Sequence, residues 1–240
     1  MDKFGKSQSV KRVEDVRFLT GGGRYVDDVA PADALRAYVL RSPVAHAEIA
    51  ALDISAAQEA EGVHLVLTGQ AMLDAGIETA MNATLTKNRD GSPVAAPKRP
   101  TLAERRVRFV GEPVAMVVAE TLEQARDAAE LIEVDYDDLP VCTELAPSNQ
   151  PIHPEAPTNR AFDFGIGDEA ATAKAIEGAA RVVRLEITDH RIISNPMEPR
   201  GAWADWRDGR LHFTFGGQGV WGMKDQLTRM LHLDRAQVHV

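Results

Sequence analysis

The chain has 240 residues, of which 44% are hydrophobic and 26% charged, the proportions of a globular protein with one large domain or two smaller ones. Its 36 acidic residues outnumber its 27 basic ones, and the formal net charge of −9 argues against a general nucleic-acid binder, which needs a basic face. The single cysteine, Cys142, excludes an intrachain disulfide, a CxxC metal site and an iron–sulfur cluster held by this chain alone.

Neither a secretory signal nor a membrane span is predicted. The N-terminal residues contain no apolar core, and no apolar run approaches the roughly 20 residues that cross a bilayer. We therefore expect a cytoplasmic protein. Residues 1–14 are polar and predict an N-terminal arm.

The first half of the chain predicts short strands joined by turns. Gly21–Gly23 precede an extended acidic stretch instead of a helix, so they predict a turn between strands and not a phosphate-binding loop. The following apolar stretches predict strands at 34–40, 45–52 and 63–67, a short helix at 55–61 and a long loop at 76–100.

The clearest local pattern lies between residues 107 and 136. Two apolar strands, 107–110 and 114–119, flank a Gly-Glu-Pro turn, and a third strand is expected at 134–136. Thr121 and Gln124 form a capping-box pair at the start of an intervening helix. A strand–helix–strand unit of this kind favours a mixed α/β or α+β layer.

A proline-rich stretch, 139–159, predicts an extended connection and a domain boundary. The elements expected after it are a helix from Asp168 to about 180, a strand at 181–188, a hairpin around Asp208-Gly209, a helix at 220–233 and a strand from 238. Because this last strand runs to residue 240 without a turn, we expect the second domain to be incomplete.

The common catalytic motifs are absent from the sequence. The seven histidines form no HExxH pair, no GxSxG elbow is present, and Cys142 has no activating pattern. The segment Phe215–Trp221 is the most suggestive, since it joins a strand to a helix through glycines and the amide of Gln218. Two interpretations remain from the residues alone: a ligand-binding loop at a helix N-terminus, or a glycine turn with a packed tryptophan.

Four stretches, in this order, resemble the molybdenum-binding large subunits of the xanthine dehydrogenase and aldehyde oxidase family, which includes carbon monoxide dehydrogenase. They are RFLTGGGRYVDDV, RSPVAHAEI, RVRFVGEPVAMVVAETLEQARDAAELIEVDYDDLP and NPMEPRGAWADW. The resemblance implies an α+β fold with an α/β hammerhead domain at 15–145, a linker at 146–160 and the first part of the molybdopterin-binding domain at 161–240.

The resemblance also implies an activity. Family enzymes hydroxylate an N-heterocycle or aldehyde carbon with water and pass the electrons to [2Fe–2S] clusters and FAD. The expected cofactor is molybdopterin with molybdenum, in the cytosine dinucleotide form, and the expected partners are the remaining molybdopterin-binding polypeptide, a [2Fe–2S] small subunit and an FAD medium subunit. The family's catalytic glutamate lies on a segment outside this chain, which is therefore expected to be inactive alone.

Three residues are expected to contact the cofactor. Gln218 matches the family glutamine that approaches an oxo ligand of molybdenum, and Gly217 and Gly219 would allow close approach of the backbone. Trp221 and Phe215 are candidates for the substrate funnel, with packing as the other interpretation of Trp221. No residue is expected to ligate the metal directly.

Met197–Arg200 also matches the family, where the resemblance implies mainly a structural turn. Glu198 is not expected to be the base, because the family base lies on a segment outside this chain. An alternative for the whole chain is a non-catalytic docking module for an iron–sulfur partner. A free-standing NAD enzyme is disfavoured because no strand–GxGxxG–helix unit is present.

Overall fold

The computed structural model describes residues 11–77, 80–81, 86–145, 147–190, 192–196 and 198–240. Most of the predicted arm, 1–14, lies outside these residues. The chain divides into two compact units: a larger one, residues 35–192, and a smaller one that joins residues 11–34 to residues 193–240.

Short strands and helices alternate along the chain. The strands are β1 (Arg36–Arg41), β2 (Ala47–Asp53), β3 (Val63–Thr68), β4 (Ala80–Met81), β5 (Arg99–Pro100), β6 (Arg106–Val107), β7 (Pro113–Ala119), β8 (Glu133–Asp138), β9 (Ala202–Arg207), β10 (Arg210–Phe215) and β11 (Val238–His239). The helices are α1 (Asp15–Leu19), α2 (Val26–Val29), α3 (Ser55–Glu59), α4 (Gly69–Asp74), α5 (Leu122–Glu130), α6 (Glu169–Glu177) and α7 (Val220–Met230), and a 3-10 turn covers Arg235–Gln237.

The larger unit is built on antiparallel sheets. One has the strand order β1-β7-β3, a second has β6-β2-β8, and β4 pairs with β5. Strands that are adjacent in a sheet are distant in sequence, with Val39 opposite Met116 and Val66 opposite Val117. Antiparallel sheets combined with helices make this an α+β architecture.

An alanine-rich core forms where α5 packs on the β1-β7-β3 sheet. One face of β7 is fully buried, and because side chains alternate along a strand, its buried residues point together toward α5. The buried residues of this core are Ala57, Val66, Ala115, Val117, Ala119, Ala125, Ala128, Ala129 and Ile132. Small side chains let the helix approach the sheet closely, which suits a chain with only 5% aromatic residues.

The predicted cap of α5 is present. The Gln124 N–H donates to Thr121 Oγ1 at 3.2 Å, and the Thr121 N–H donates to Gln124 Oε1 at 3.0 Å. These two bonds satisfy donors that the first turn of a helix cannot pair internally.

The smaller unit contains a three-stranded sheet of order β11-β10-β9. The predicted hairpin is confirmed, with Asp208 and Gly209 at φ values of 53° and 71° between antiparallel β9 and β10. Strand β11 adds in parallel to β10 through Leu211 and Val238.

Four local predictions were wrong. Gly21–Gly23 connect two short helices, α1 and α2, and not two strands. Residues 181–188 have no strand structure, and strand β6 ends at Val107 and not at residue 110. The predicted loop 76–100 contains the short strands β4 and β5.

No helix in the described part of the chain is long and apolar enough to span a bilayer.

Candidate functional site

The loop that carries Gln218 lies between the last strand of the hairpin and the longest helix of the smaller unit. Strand β10 ends at Phe215, and α7 begins at Val220, so Gly216–Gly219 bridge them. The N–H of Gly216 donates to the carbonyl of Gly201 at 3.3 Å. That bond holds the start of the loop against the entry to β9.

Two glycines of the loop cannot be replaced without rearrangement. Gly219 has a φ of +152°, in the region that side-chain-bearing residues rarely adopt. A Cβ on Gly217 would overlap the ring of Phe215. The loop therefore presents bare backbone next to the helix, as close approach to a ligand requires.

The N-terminus of α7 is open to a ligand. Gly219 is its N-cap residue, supplies no side-chain cap, and no acidic residue lies in the first turn. The first N–H groups of an α-helix lack internal partners and carry a partial positive charge. This end of α7 can therefore accept an anionic or hydrogen-bond-accepting group.

Gln218 lies at the exposed centre of the loop. Among the described residues no hydrogen-bond partner is found for its side-chain amide, which is free to donate or accept elsewhere. The structure thus brings Gln218, Gly217 and Gly219 together at the N-terminus of α7.

Glu198 touches this loop from a distant part of the sequence. Its Oε1 accepts a hydrogen bond from the Val26 N–H at 3.1 Å, and a Cβ on Gly216 would lie 3.3 Å from the same oxygen. The carboxylate is therefore hydrogen-bonded to the first turn of α2 and lies beside the start of the loop. Its sequence neighbour Met197 lies outside the described residues.

The two aromatic candidates occupy different surroundings. Trp221 is 67% exposed, and its ring lies 5.5 Å from the Arg235 guanidinium carbon and 6.0 Å from Lys224 Nζ. Phe215 is half-buried, with its ring 5.7 Å from that of Phe213. The cationic neighbours of Trp221 were missed by sequence reasoning, although helical spacing could have indicated Lys224.

The remaining candidates show no catalytic arrangement. In the described part of the chain, no three His, Cys, Asp or Glu side chains are grouped so as to hold a metal ion. His46 is buried, with Nδ1 2.7 Å from the Pro140 carbonyl oxygen, and the ring centres of His212 and His239 lie 5.3 Å apart with the rings tilted by 53°. Cys142 is half-buried, and its thiol lies 3.8 Å from the Glu144 carbonyl oxygen.

Two family models match the chain. Residues 20–140 match the α/β hammerhead domain of aldehyde oxidase and xanthine dehydrogenase, and residues 152–240 match a molybdopterin cofactor-binding domain. The chain belongs to the xanthine dehydrogenase and aldehyde oxidase family. The resemblance, the hammerhead and the start of the molybdopterin-binding domain expected from the sequence are therefore confirmed.

Individual relatives agree with this family. The nicotine 6-hydroxylase large subunit of Paenarthrobacter nicotinovorans is 36% identical over 96% of this chain and 28% of its own length. The carbon monoxide dehydrogenase large chain of Afipia carboxidovorans is 33% identical over 78% of this chain and 24% of its own. The crystal structure of quinoline 2-oxidoreductase from Pseudomonas putida 86 matches 96% of this chain and 29% of its own, with a TM-score of 0.77 and 32% identity. The chain thus spans less than a third of the length of these relatives.

Proposed function

We propose that this chain forms one wall of the molybdenum cofactor site of a molybdenum hydroxylase. Gln218, Gly217 and Gly219 hold the pterin–metal group together with polypeptide beyond this chain. The observation that carries the proposal is the loop itself: an uncapped N-terminus of α7, bare glycine backbone and an unengaged amide converge at one exposed place.

The residues present fit such a cofactor chemically. A pterin with a phosphate-bearing tail and metal-bound oxygens offers many acceptors, and the loop offers N–H groups and an amide donor. When bound, the cofactor supplies the two-electron oxidation of a substrate carbon with oxygen from water. A donor aimed at a metal centre from beyond its ligands orients the centre and tunes it without ligating it.

Each candidate residue has a separate role in this proposal. Gln218 orients the cofactor through its amide, and the first N–H groups of α7 hold an anionic part of it. Glu198 accepts a hydrogen bond from the Val26 N–H and lies beside the loop, and we assign the catalytic base to another segment. Trp221 and Phe215 line the approach to the carbon being oxidised.

The smaller unit alone offers little enclosure for a cofactor. Among its described residues only Val26, Leu211 and Val238 are buried apolar side chains, and α7 buries none completely. A redox cofactor needs a site that excludes water, so we propose that further polypeptide completes the cavity.

We propose the wider assembly from the resemblance to the family. The cofactor is molybdopterin cytosine dinucleotide, the substrate is an N-heterocycle or aldehyde, and electrons leave through [2Fe–2S] and FAD subunits. We assign the complex to the cytoplasm, where a chain with one cysteine needs no disulfide.

The test is Gln218→Ala in the assembled complex, with Gln70→Ala as the matched control. Gln70 lies on α4 of the larger unit and donates to Asp74. We expect Gln218→Ala to lower turnover about 10- to 100-fold with molybdenum content and assembly retained, and Gln70→Ala to leave turnover unchanged. Unchanged turnover in Gln218→Ala would instead favour the docking-module function.

A further inference from the structure

A cavity of about 220 Å³ in the larger unit is not part of the proposed cofactor site. Strand β6 with its flanking residues forms one side, and the loop around His153 forms the other. Its charged lining consists of Lys98, Arg105, Arg106, Arg108, Glu104 and Glu155. Four cationic side chains and two carboxylates therefore line this cavity, in a chain of net charge −9.

The arginines of this cavity lie near several carboxylates: Glu104 and Glu155 in the lining, and Glu48 and Glu112 beside it. Arg106 forms an ion pair with Glu48, and that hydrogen bond is the main cause of the lowered pKa of the Glu48 carboxyl. The charges of Arg105 and Arg108 lower the same pKa from a greater distance. The carboxylate of Glu48 therefore lies near three guanidinium groups, of which only that of Arg106 forms an ion pair with it.

Arg108 has an unused donor. Its Nη1 donates to the Arg106 carbonyl at 3.2 Å, whereas its Nε is buried and has no hydrogen-bond partner among the described residues. Buried donors are almost always paired in folded proteins, so an unpaired one beside a cavity indicates a missing acceptor.

His153 also lies in this cavity, and burial is the main influence on its imidazole. Its imidazole lines the cavity, and burial, followed by the charges of Arg108 and Arg106, lowers the pKa of this histidine. A neutral imidazole at neutral pH adds a further donor or acceptor without adding to the repulsion.

We propose that this cavity binds a tetrahedral oxyanion, namely a phosphoryl group. Several donors approach from different side chains, and a phosphoryl group offers three or four acceptor oxygens where a carboxylate offers two. The volume exceeds that of one phosphate ion, leaving room for water or for the atom to which the phosphoryl group is attached.

This site is separate from the proposed function. All of its residues belong to the larger unit, whereas Gln218 belongs to the smaller one. Failure of either proposal leaves the other unaffected.

Titration of the 240-residue chain with inorganic phosphate, followed by calorimetry and by the imidazole resonances of His153, tests the site. We expect saturable binding at constant ionic strength and a rise in the pKa of His153, because the bound anion offsets the nearby arginines. Arg105→Gln and Arg108→Gln should each weaken binding about tenfold or more. Arg126→Gln removes the same charge from the exposed face of α5 and should change nothing.

Two further measurements separate loss of binding from loss of folding, and a phosphate ester from free phosphate. Arg108→Lys retains the charge at that position, so it should bind better than Arg108→Gln and controls for a folding defect. Cytidine 5′-monophosphate carries the same group as an ester: tighter binding than phosphate assigns the cavity to a phosphate ester, and weaker binding assigns it to the free ion. Non-saturable binding, or equal losses in Arg126→Gln and Arg105→Gln, would overturn the site.

Discussion

At the scale of single residues, the candidate site depends most on a missing side chain at Gly219. The position of the loop could be predicted from the sequence, because a strand pattern, glycines and a helix pattern follow one another there. The φ of +152° at Gly219 and the overlap of a Cβ on Gly217 with Phe215 could not be predicted from the sequence. Both depend on the path that the loop backbone takes between β10 and α7. The bond from Val26 to Glu198 spans 172 positions, and no local pattern predicts it.

Gly219→Ala and Gly222→Ala are predicted to have opposite effects on stability. Gly219→Ala forces a side chain into a disfavoured backbone region and should lower the free energy of unfolding by about 1 to 2 kcal/mol. Gly222 lies within α7 with open space around it, so alanine there should raise that free energy by about 0.5 to 1 kcal/mol. Denaturant unfolding measures both changes. Equal changes in the two variants would show that the conformation at Gly219 carries no constraint.

Glu112 predicts a particular dependence of stability on pH. This carboxyl is 6% exposed, and burial raises its pKa, while hydrogen bonds from the Arg108 and Phe109 N–H groups act in the opposite direction. Between the ordinary pKa of a glutamate and the raised value, the folded chain keeps a proton that the unfolded chain has lost. The stability contributed by Glu112 is therefore present below this window and is lost as the pH rises through it.

Glu112→Gln should remove that part of the pH dependence. The free energy of unfolding of this variant, minus that of the original chain, should increase as the pH is raised from about 4 to about 8. The exposed Glu59→Gln on α3 is the control and should give a flat difference. A difference that decreases over this range would mean that the hydrogen bonds outweigh burial.

At the scale of elements, two patterns in the sequence had different outcomes. Helix α5 was predicted by its spacing and its capping box, and both operate within one stretch of chain. Residues 181–188 alternate as a strand should, yet they form none. A strand requires a neighbour for its N–H and carbonyl groups, and sequence alternation says nothing about whether that neighbour is present.

The stretch 181–190 is therefore predicted to be unprotected in this chain. Val183, Leu185 and Ile187 lie on alternate positions and are 84%, 80% and 75% exposed. Amide hydrogens of 181–190 should exchange rapidly, while those of β7 exchange slowly. Under the proposed function, addition of the companion polypeptide supplies a neighbouring strand, and exchange in this stretch slows.

Substitutions separate this stretch from the core. Leu185→Asp should change the free energy of unfolding by less than about 0.5 kcal/mol, because the side chain is exposed. Val117→Asp, at a fully buried position of β7, should unfold the larger unit. A large loss of stability in Leu185→Asp would mean that the stretch packs within this chain.

At the scale of the whole molecule, the sequence predicted a boundary at 146–160, and the family models leave residues 141–151 between their two matches. The joining of residues 11–34 to residues 193–240 was not foreseeable. It depends on contacts between the two ends of the chain, such as the hydrogen bond between Val26 and Glu198. The composition of the sequence does not predict such contacts. The family resemblance was decisive for function because the loop alone allowed two interpretations.

The central claim is that this chain forms part of a molybdenum cofactor cavity and cannot close it alone. Its most direct test is the molybdenum content of the purified 240-residue chain, measured by elemental analysis with and without the companion polypeptide that we propose completes the molybdopterin-binding domain. We predict molybdenum far below stoichiometric amounts in the chain alone and stoichiometric molybdenum in the complex. Stoichiometric molybdenum bound by the chain alone would contradict the account.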